Sequence, residues 1–326
     1  MYSVAVQGRL GSIDAFRGLT MAGMVIVNNP GTWDAIYWPL EHAEWHGWTP
    51  TDLIFPFFLF IVGIAMTLSR RTLSAPWSRI AGRAALLVGL GVFMAGFPFF
   101  NPHQWRIPGV LQRIGVCYFA AAWAYRKLQK ERWNAPIVIV ALVAAILVGY
   151  WGVLSAFGDL TPDGNVGAIV DRALMGGHLY RPMWDPEGLL SSVPAVATTL
   201  LGVLTGMWLG SDRTMSRKAL GLALSGALLV VAGQAWHRVF PINKQLWTSS
   251  YVLLSAGAAA LLLAACLYAI EVRGWRRWAK PFVVLGRNAI ALFVVSGLVG
   301  KTILILGAQE AIFDYGFAWM APPRLA

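Results

Sequence analysis

Apolar residues fall in long runs along this chain, and polar residues gather between them. Runs of about 20 mostly apolar residues are long enough to cross a membrane as helices. Nine are predicted, at roughly 13–30, 52–69, 80–97, 108–125, 136–154, 191–210, 219–236, 248–270 and 282–300. Gly is frequent inside them, as membrane helices tolerate. The pattern predicts an all-α polytopic membrane bundle of about nine or ten transmembrane helices, forming one domain over residues 1–326. The first run is full length and has no small-residue cleavage site, so it reads as a span and not as a signal peptide.

Basic residues set the orientation. One set of alternate gaps holds Arg70, Arg71, Arg79 and Arg83, then Arg126, Lys127, Lys130 and Arg132, then Arg213, Arg217 and Lys218, then Arg273, Arg276, Arg277 and Lys280. With Arg9 that is 16 of the 26 Lys and Arg, against seven in the other gaps. The positive-inside rule then places the N-terminus in the cytoplasm. Ten acidic residues, among them Glu41, Glu44, Asp171, Asp185 and Glu187, fall in the outer segments. They read either as solvated loop surface or as an attractor for an amine-bearing molecule.

Composition agrees with this reading. The apolar share is 57% and the charged share 13%, with mean hydropathy +0.60. These values exclude a disordered chain, a collagen-like chain and an ordinary cytosolic enzyme. The net charge of +11 would suggest nucleic acid in a soluble protein. Here it reflects basic inner loops, with membrane lipids and not nucleic acid as the expected partner.

Residues 155–190 form a long outer loop with turn formers at Thr161–Asn165. A loop of that length is uncommon unless functional. After the ninth run, residues 301–320 either return partway into the membrane, or the chain stops before a last helix that would follow residue 326. Cys117 and Cys266 lie inside predicted spans and read as small buried hydrophobes. No metal motif or nucleotide-fold motif occurs, and no metal is expected.

Polar groups inside or beside the spans are the candidates for chemistry. The first span begins Ser12-Ile13-Asp14-Ala15-Phe16-Arg17. Arg17 either pairs with Asp14 one turn away or serves an anion site at the cytoplasmic edge. The span ends at Asn28-Asn29-Pro30-Gly31, where proline breaks it. The two amides either satisfy frayed carbonyls or hold a ligand. Next comes Glu41-His42-Ala43-Glu44-Trp45-His46, then Gly47-Trp48-Thr49-Pro50-Thr51-Asp52. Histidine titrates near neutrality and can carry a proton in catalysis. His42 and His46 stand at i, i+4, but Gly47 and Pro50 argue against a helix that would aim both at a metal. Thr51 or Asp52 can cap the second span. Arg83, Arg113 and Arg287 sit near span ends, where they either snorkel or join a basic surface that attracts phosphate or anionic lipid.

Several motifs then occur in order. They are Arg9–Leu19 (RLGSIDAFRGL), Leu40–Leu53 (LEHAEWHGWTPTDL) running into Phe55–Gly63 (FPFFLFIVG), and Arg106–Gly115 (RIPGVLQRIG). Asp185–Leu189 (DPEGL), Asn243–Val252 (NKQLWTSSYV) and Leu285–Ile290 (LGRNAI) follow. The set resembles the heparan-α-glucosaminide N-acetyltransferase family and its bacterial relatives, from about residue 9 to the end. That resemblance implies a transmembrane acetyltransferase in a bacterial inner membrane. It would move an acetyl group from cytoplasmic acetyl-CoA to an amine, such as an amino sugar of a glycan, on the periplasmic side. It implies His42 as catalytic histidine and Asn28 as catalytic asparagine. Arg17, Arg83, Arg113 and Asn288 are then the expected CoA contacts. Glu41, Trp45, His46 and Asp185 are the expected acceptor contacts. His46 stands where the lysosomal member has Asn, so acceptor contacts differ there. A homodimer is compatible with all of this, and the competing function is transport of an amino sugar or oligosaccharide without acyl transfer.

Overall fold

The computed structural model describes residues 10–29, 36–69, 74–101, 103, 105–130 and 134–316. The proline break at Pro30-Gly31, the basic residues Arg9, Arg70, Arg71 and Arg132, and any helix beyond residue 316 lie outside them.

The described residues form twelve α-helices and no strand. They are α1 (Gly11–Asn28), α2 (Ile54–Leu68), α3 (Trp77–Gly96), α4 (Val110–Lys130), α5 (Ala135–Phe157) and α6 (Val166–Met175). Then follow α7 (Leu189–Leu209), α8 (Met215–Trp236), α9 (Ser249–Leu267), α10 (Lys280–Arg287), α11 (Ala289–Ile305) and α12 (Gln309–Gly316). A 3₁₀ turn, Pro50–Leu53, leads into α2, and a π-turn, Tyr268–Val272, extends α9.

Every predicted span falls mainly on helix. Among the described residues, six helical segments are long and apolar enough to cross a membrane by length and composition: α2 with its 3₁₀ turn, α3, α5, α7, α8, and α9 with its π-turn. The predicted ninth span is broken. α10 and α11 meet at 82° across Asn288, and they make a seventh crossing only if the bent pair is one span. The break lies where Gly286 is pressed against α1, so close that a side chain there would meet the Asp14 carbonyl oxygen at 2.0 Å. α1 and α4 have spanning length but carry Asp14, Arg17, Gln112 and Arg113 within it. The long outer loop holds its own helix, α6, capped by Asn165, whose Oδ1 accepts from the Ala168 amide at 2.8 Å.

Packing sorts the helices into a centre and a periphery. In α2, 72% of the apolar window is buried inside the protein, and in α7 and α9 61%, against 11% in α3. Lipid offers no hydrophobic drive between helices, so van der Waals packing through small residues takes its place. α2 and α7 meet in this way. A side chain at Gly63 would stand 2.0 Å from the Thr199 carbonyl oxygen, and one at Gly202 2.1 Å from that of Phe60. At the basic end, cations lie over indole rings: Arg126 over Trp77 and Arg213 over Trp208 at 4.3 Å, and Arg273 over Trp275 at 5.2 Å. Such aromatic and basic pairs suit a membrane–water boundary.

Gly202→Leu is expected to force α2 and α7 apart, at a cost of about 1–3 kcal/mol. Thermal melting in detergent should fall by several degrees, whereas Gly149→Leu, on an open face of α5 with nothing within 4 Å, should melt like the parent.

Candidate active site

The segment before α2 is shaped by one carboxylate. Asp52 is 1% exposed. Its Oδ2 accepts from the Ala43 amide at 3.1 Å and the Thr49 amide at 3.0 Å. Thr49, and not Thr51 or Asp52, therefore begins the turn into α2. Thr51 instead donates to the Pro39 carbonyl at 3.0 Å. Asp52 Oδ1 faces His42 Nδ1 at 2.7 Å. A carboxylate only accepts, so this contact puts a ring proton on Nδ1. The imidazole is 45% exposed, which leaves it open to a ligand.

A second loop reaches the same point. Lys244 Nζ lies 3.3 Å from Asp52 Oδ1, 3.0 Å from His42 Nδ1 and 3.4 Å from His42 Nε2. Burial lowers the Lys244 pKa from its ordinary value, only partly opposed by Asp52 and Glu187. This loop is tightly fixed. Asn243 is fully buried, and its Oδ1 accepts from the Leu246 amide at 2.8 Å. Trp247 is held at φ 53°, in the left-handed region, which costs a non-glycine residue about 1–3 kcal/mol. Its ring is wedged between Phe55 and Tyr251 at 5.1 and 5.3 Å between centroids, and its Nε1 donates to the Thr198 hydroxyl at 3.2 Å. Tyr251, on α9, donates its hydroxyl to the backbone carbonyl of Asp52 at 2.5 Å.

His42 and Lys244 line a cavity of about 310 Å³, together with Asn28 of α1, Arg106, Tyr180 and Glu187. A second, more apolar cavity of about 710 Å³ adjoins it and shares Met24, Asn28 and Phe293 with it. The structure thus brings His42 and Asn28 to one cavity. The two amides at the end of α1 divide the alternatives between them. Asn29 donates to the Val25 carbonyl at 2.7 Å as a helix-end cap, and Asn28 borders both cavities.

The predicted acceptor residues are elsewhere. Asp185 is tied to Arg106, whose Nε and Nη2 donate to its two oxygens at 2.8 and 2.6 Å. Burial opposes the Arg106 charge, but bonds to Asp185 and Glu187 outweigh it and hold its pKa above the ordinary value. Trp45 Nε1 donates to the Leu160 carbonyl at 2.7 Å, with its ring against Trp184. His46 Nδ1 faces the Asn243 amide at 3.3 Å, so His42 and His46 serve different partners. The Glu41 carbonyl accepts from Thr49. None of these four lines the cavity; Tyr180, Trp184, Glu187 and Gln245 do.

The predicted CoA contacts do not converge either. Arg113 is buried, donating to the Gly188 carbonyl at 3.0 Å and the Ser191 hydroxyl at 2.5 Å, with its guanidinium over Trp247. Arg83 is exposed on α3. Arg17 and Arg287 both face Asp14, at 3.5 and 3.9 Å, near the start of α1. Asn288 donates to the Val284 carbonyl at 3.1 Å.

The fold and this site describe a polytopic helical membrane protein with a carboxylate-oriented histidine at one end of its bundle. The catalytic profile of heparan-alpha-glucosaminide N-acetyltransferase matches residues 9–238, and the chain belongs to that family. The mouse heparan-alpha-glucosaminide N-acetyltransferase is 30% identical over 353 aligned positions, covering 88% of this chain. The human protein of the same name is 30% identical over 358, covering 89%. The chain spans 53% of the length of each.

Asp52, Lys244, Arg106 and Glu187 were not singled out by sequence as site residues. The carboxylate had a signal, since Thr-x-x-Asp ahead of an apolar run is a helix-start pattern.

The turn that carries Asp185 and Glu187 rests on Asp171 of α6, whose Oδ1 accepts from the Leu189 amide at 2.9 Å. Burial, then Asp185 nearby, push the Asp171 pKa up from 3.8 to about 6, against the pull of the Leu189 amide and Arg113. A carboxyl raised on folding stabilises fully below its unfolded pKa and loses that contribution as pH rises through the folded value. Asp171→Asn should therefore melt higher than the parent at about pH 8, with the difference gone by about pH 4, when Tm is followed against pH.

Proposed function

We propose that the chain transfers an acetyl group from acetyl-CoA to an amine, and that the acceptor is an amino sugar. The observation that carries this reading is the Asp52–His42 pair opening on a cavity that Asn28 also lines. Family membership supports acetyl transfer as the reaction.

His42 Nε2 takes the proton from the acceptor nitrogen as that nitrogen attacks the thioester carbon. Asp52 keeps the imidazole in the tautomer that can accept, and its fixed bonds to the Ala43 and Thr49 amides keep it from turning away. Asn28 donates to the oxyanion that forms on the former carbonyl, where charge develops only in the transition state. The acetyl-histidine route of nucleophilic catalysis uses the same two residues.

The acceptor lies against Tyr180, Trp184 and Glu187, where an aromatic wall meets a carboxylate. CoA enters from the cytoplasmic end. Arg17 and Arg287, both beside Asp14, place two guanidinium groups at that end that can bond its phosphates. That end stands eleven residues, or about 16 Å, below Asn28 along α1. The larger apolar cavity beside Asn28 takes the flexible arm of the thioester. The basic and aromatic belt supports the orientation with this end inside, in a bacterial inner membrane.

Vesicles loaded with acetyl-CoA and given glucosamine outside, read by mass spectrometry, should form N-acetylglucosamine in the outer medium. His42→Ala should abolish it while acetyl-CoA still raises the melting temperature. Asp52→Asn should lower turnover by about 10³–10⁴ through the wrong tautomer, and Asn28→Ala by about 10²–10³. Uptake of unmodified glucosamine without CoA would instead identify a transporter, and unchanged transfer in His42→Ala would remove the catalytic assignment.

A further inference from the structure

We propose that Lys244 is a self-acetylation site. Its side-chain nitrogen takes the acetyl group from the thioester held beside His42 when no acceptor is there, and the amide so formed shuts the site. This rests on the reading above for its donor, acetyl-CoA.

A site that acetylates amines must bring an acetyl carbon to the point where an amine meets His42. The chain keeps an amine of its own at that point. Lys244 Nζ is 3.0 Å from His42 Nδ1 and 3.4 Å from Nε2. Two such similar distances set Nζ alongside the ring and not out along the line of Nε2, from which Nδ1 would be farther by nearly the width of the ring. The approach to Nε2 stays open, and an acetyl carbon poised for an amine there is within reach of Nζ too. Both side chains line the same cavity of about 310 Å³. A nucleophile beside a base that a third group orients is the arrangement of an activated nucleophile. Asp52 is that third group, at 2.7 Å from His42 Nδ1.

Lysine attacks as the free amine. Burial lowers the Lys244 pKa, with Asp52 and Glu187 only partly opposing it. The amine form is therefore more available here than on a lysine in open solvent.

The other lysines are placed differently. Among the described residues, Lys244 is the one lysine that lines the cavity with His42. Lys127, Lys130 and Lys280 are exposed. Lys301 lines the adjoining apolar cavity, but its nitrogen donates to the Met94 and Phe97 carbonyls at the end of α3, at 2.5 and 3.3 Å.

The placement of Lys244 is built. Its neighbour Asn243 is anchored at both ends of the loop, with its amide donating to the Thr248 hydroxyl at 3.0 Å and its carbonyl accepting from the Thr248 amide at 3.1 Å. The Lys244 carbonyl accepts from the amide of the left-handed Trp247 at 3.1 Å, which closes the same loop. A lysine on so constrained a backbone is delivered to one point.

In the step itself, the neutral nitrogen of Lys244 bonds to the acetyl carbon. The carbon–sulfur bond breaks, and one proton of the nitrogen passes to the departing sulfur. The products are an Nε-acetyl-lysine and the free thiol of CoA. An amide does not give up its acyl group as a thioester does, so the acetyl group stays. It removes the charge of the lysine and its ion pair with Asp52. It also fills space beside His42, where an acceptor nitrogen has to enter.

The test incubates the full chain in detergent with acetyl-CoA carrying a deuterated acetyl group, without acceptor, and follows its lysines by peptide mass spectrometry. Lys244 should be labelled about tenfold faster than the exposed Lys127, Lys130 and Lys280, because a bound donor acts at a high effective concentration. Glucosamine present from the start should slow the labelling, and transfer to glucosamine by the labelled chain should fall in step with the labelled fraction. Label on Lys244 that appears no faster than on the exposed lysines, in a chain that forms N-acetylglucosamine, overturns the proposal and leaves acetyl transfer standing. Undiminished transfer by a chain fully labelled at Lys244 overturns it as well. Label on Lys244 with no N-acetylglucosamine supports the modification and removes glucosamine as the acceptor. Neither label nor product removes the acetyl-CoA reading, and this proposal with it.

Discussion

Asp52 holds the loop before α2, the head of α2, the loop before α9 and α9 itself in one arrangement. Its Oδ2 binds the amides of Ala43 and Thr49 and so folds the loop before α2. Its Oδ1 takes His42 and lies against Lys244, which joins that loop to the one before α9. Its own backbone carbonyl takes the Tyr251 hydroxyl, which ties the head of α2 to α9. Each contact is short-range and directional, and the group lies almost out of reach of water. A buried carboxylate in this position would be costly with its partners missing, on the order of 3–5 kcal/mol for one lost partner. The loops are therefore fixed by the needs of this one group, and the tautomer of His42 follows from it.

That arrangement depends in turn on how the central helices meet. α2, α7 and α9 are the most buried spans. The close approach of α2 and α7 through Gly63 and Gly202 brings the ends of these two helices together. The end of α2 carries Asp52, and the start of α7 follows directly on the turn with Asp185 and Glu187. Arg113 fastens that turn to α4 from inside, by its bonds to Gly188 and Ser191. The same guanidinium lies over Trp247, so the loop that delivers Lys244 and the turn that delivers Glu187 share one buried cation. Arg113 thus acts on the site by supporting its floor, and the phosphate role expected from sequence does not fit its enclosure.

Much of this was legible in the chain. Long apolar runs located every major helix, because in a membrane only helices satisfy their own backbone without water. His42 and Asn28 stood out because the family motifs carry them, and Thr161–Asn165 read correctly as turn chemistry. What could not be read were side-chain partners set by tertiary geometry. Asp185 looked like a free acid in an outer loop, but Arg106, 79 residues away in the chain, occupies both its oxygens. Trp45 and His46 looked available beside His42, but Leu160 and Asn243 take them. The ninth span read as continuous because hydropathy has no term for the close contact of Gly286 with α1 that accompanies the bend at Asn288.

The charge of the chain and the charge of the site follow opposite rules. Along the chain most of the positive charge lies between the apolar runs, and cations such as Arg126 and Arg213 lie on indole faces. In the cavity the cations lie directly against acids: Arg106 with Asp185 and Glu187, Lys244 with Asp52. Two cations against three acids leave the cluster one charge from balance, so a proton arriving at His42 changes the balance of the whole cluster. A site that must accept a proton and release it within one turnover needs that sensitivity, because either a strongly anionic or a strongly cationic cavity would fix the imidazole in one state. The excess of positive charge is left to the rest of the chain, away from His42.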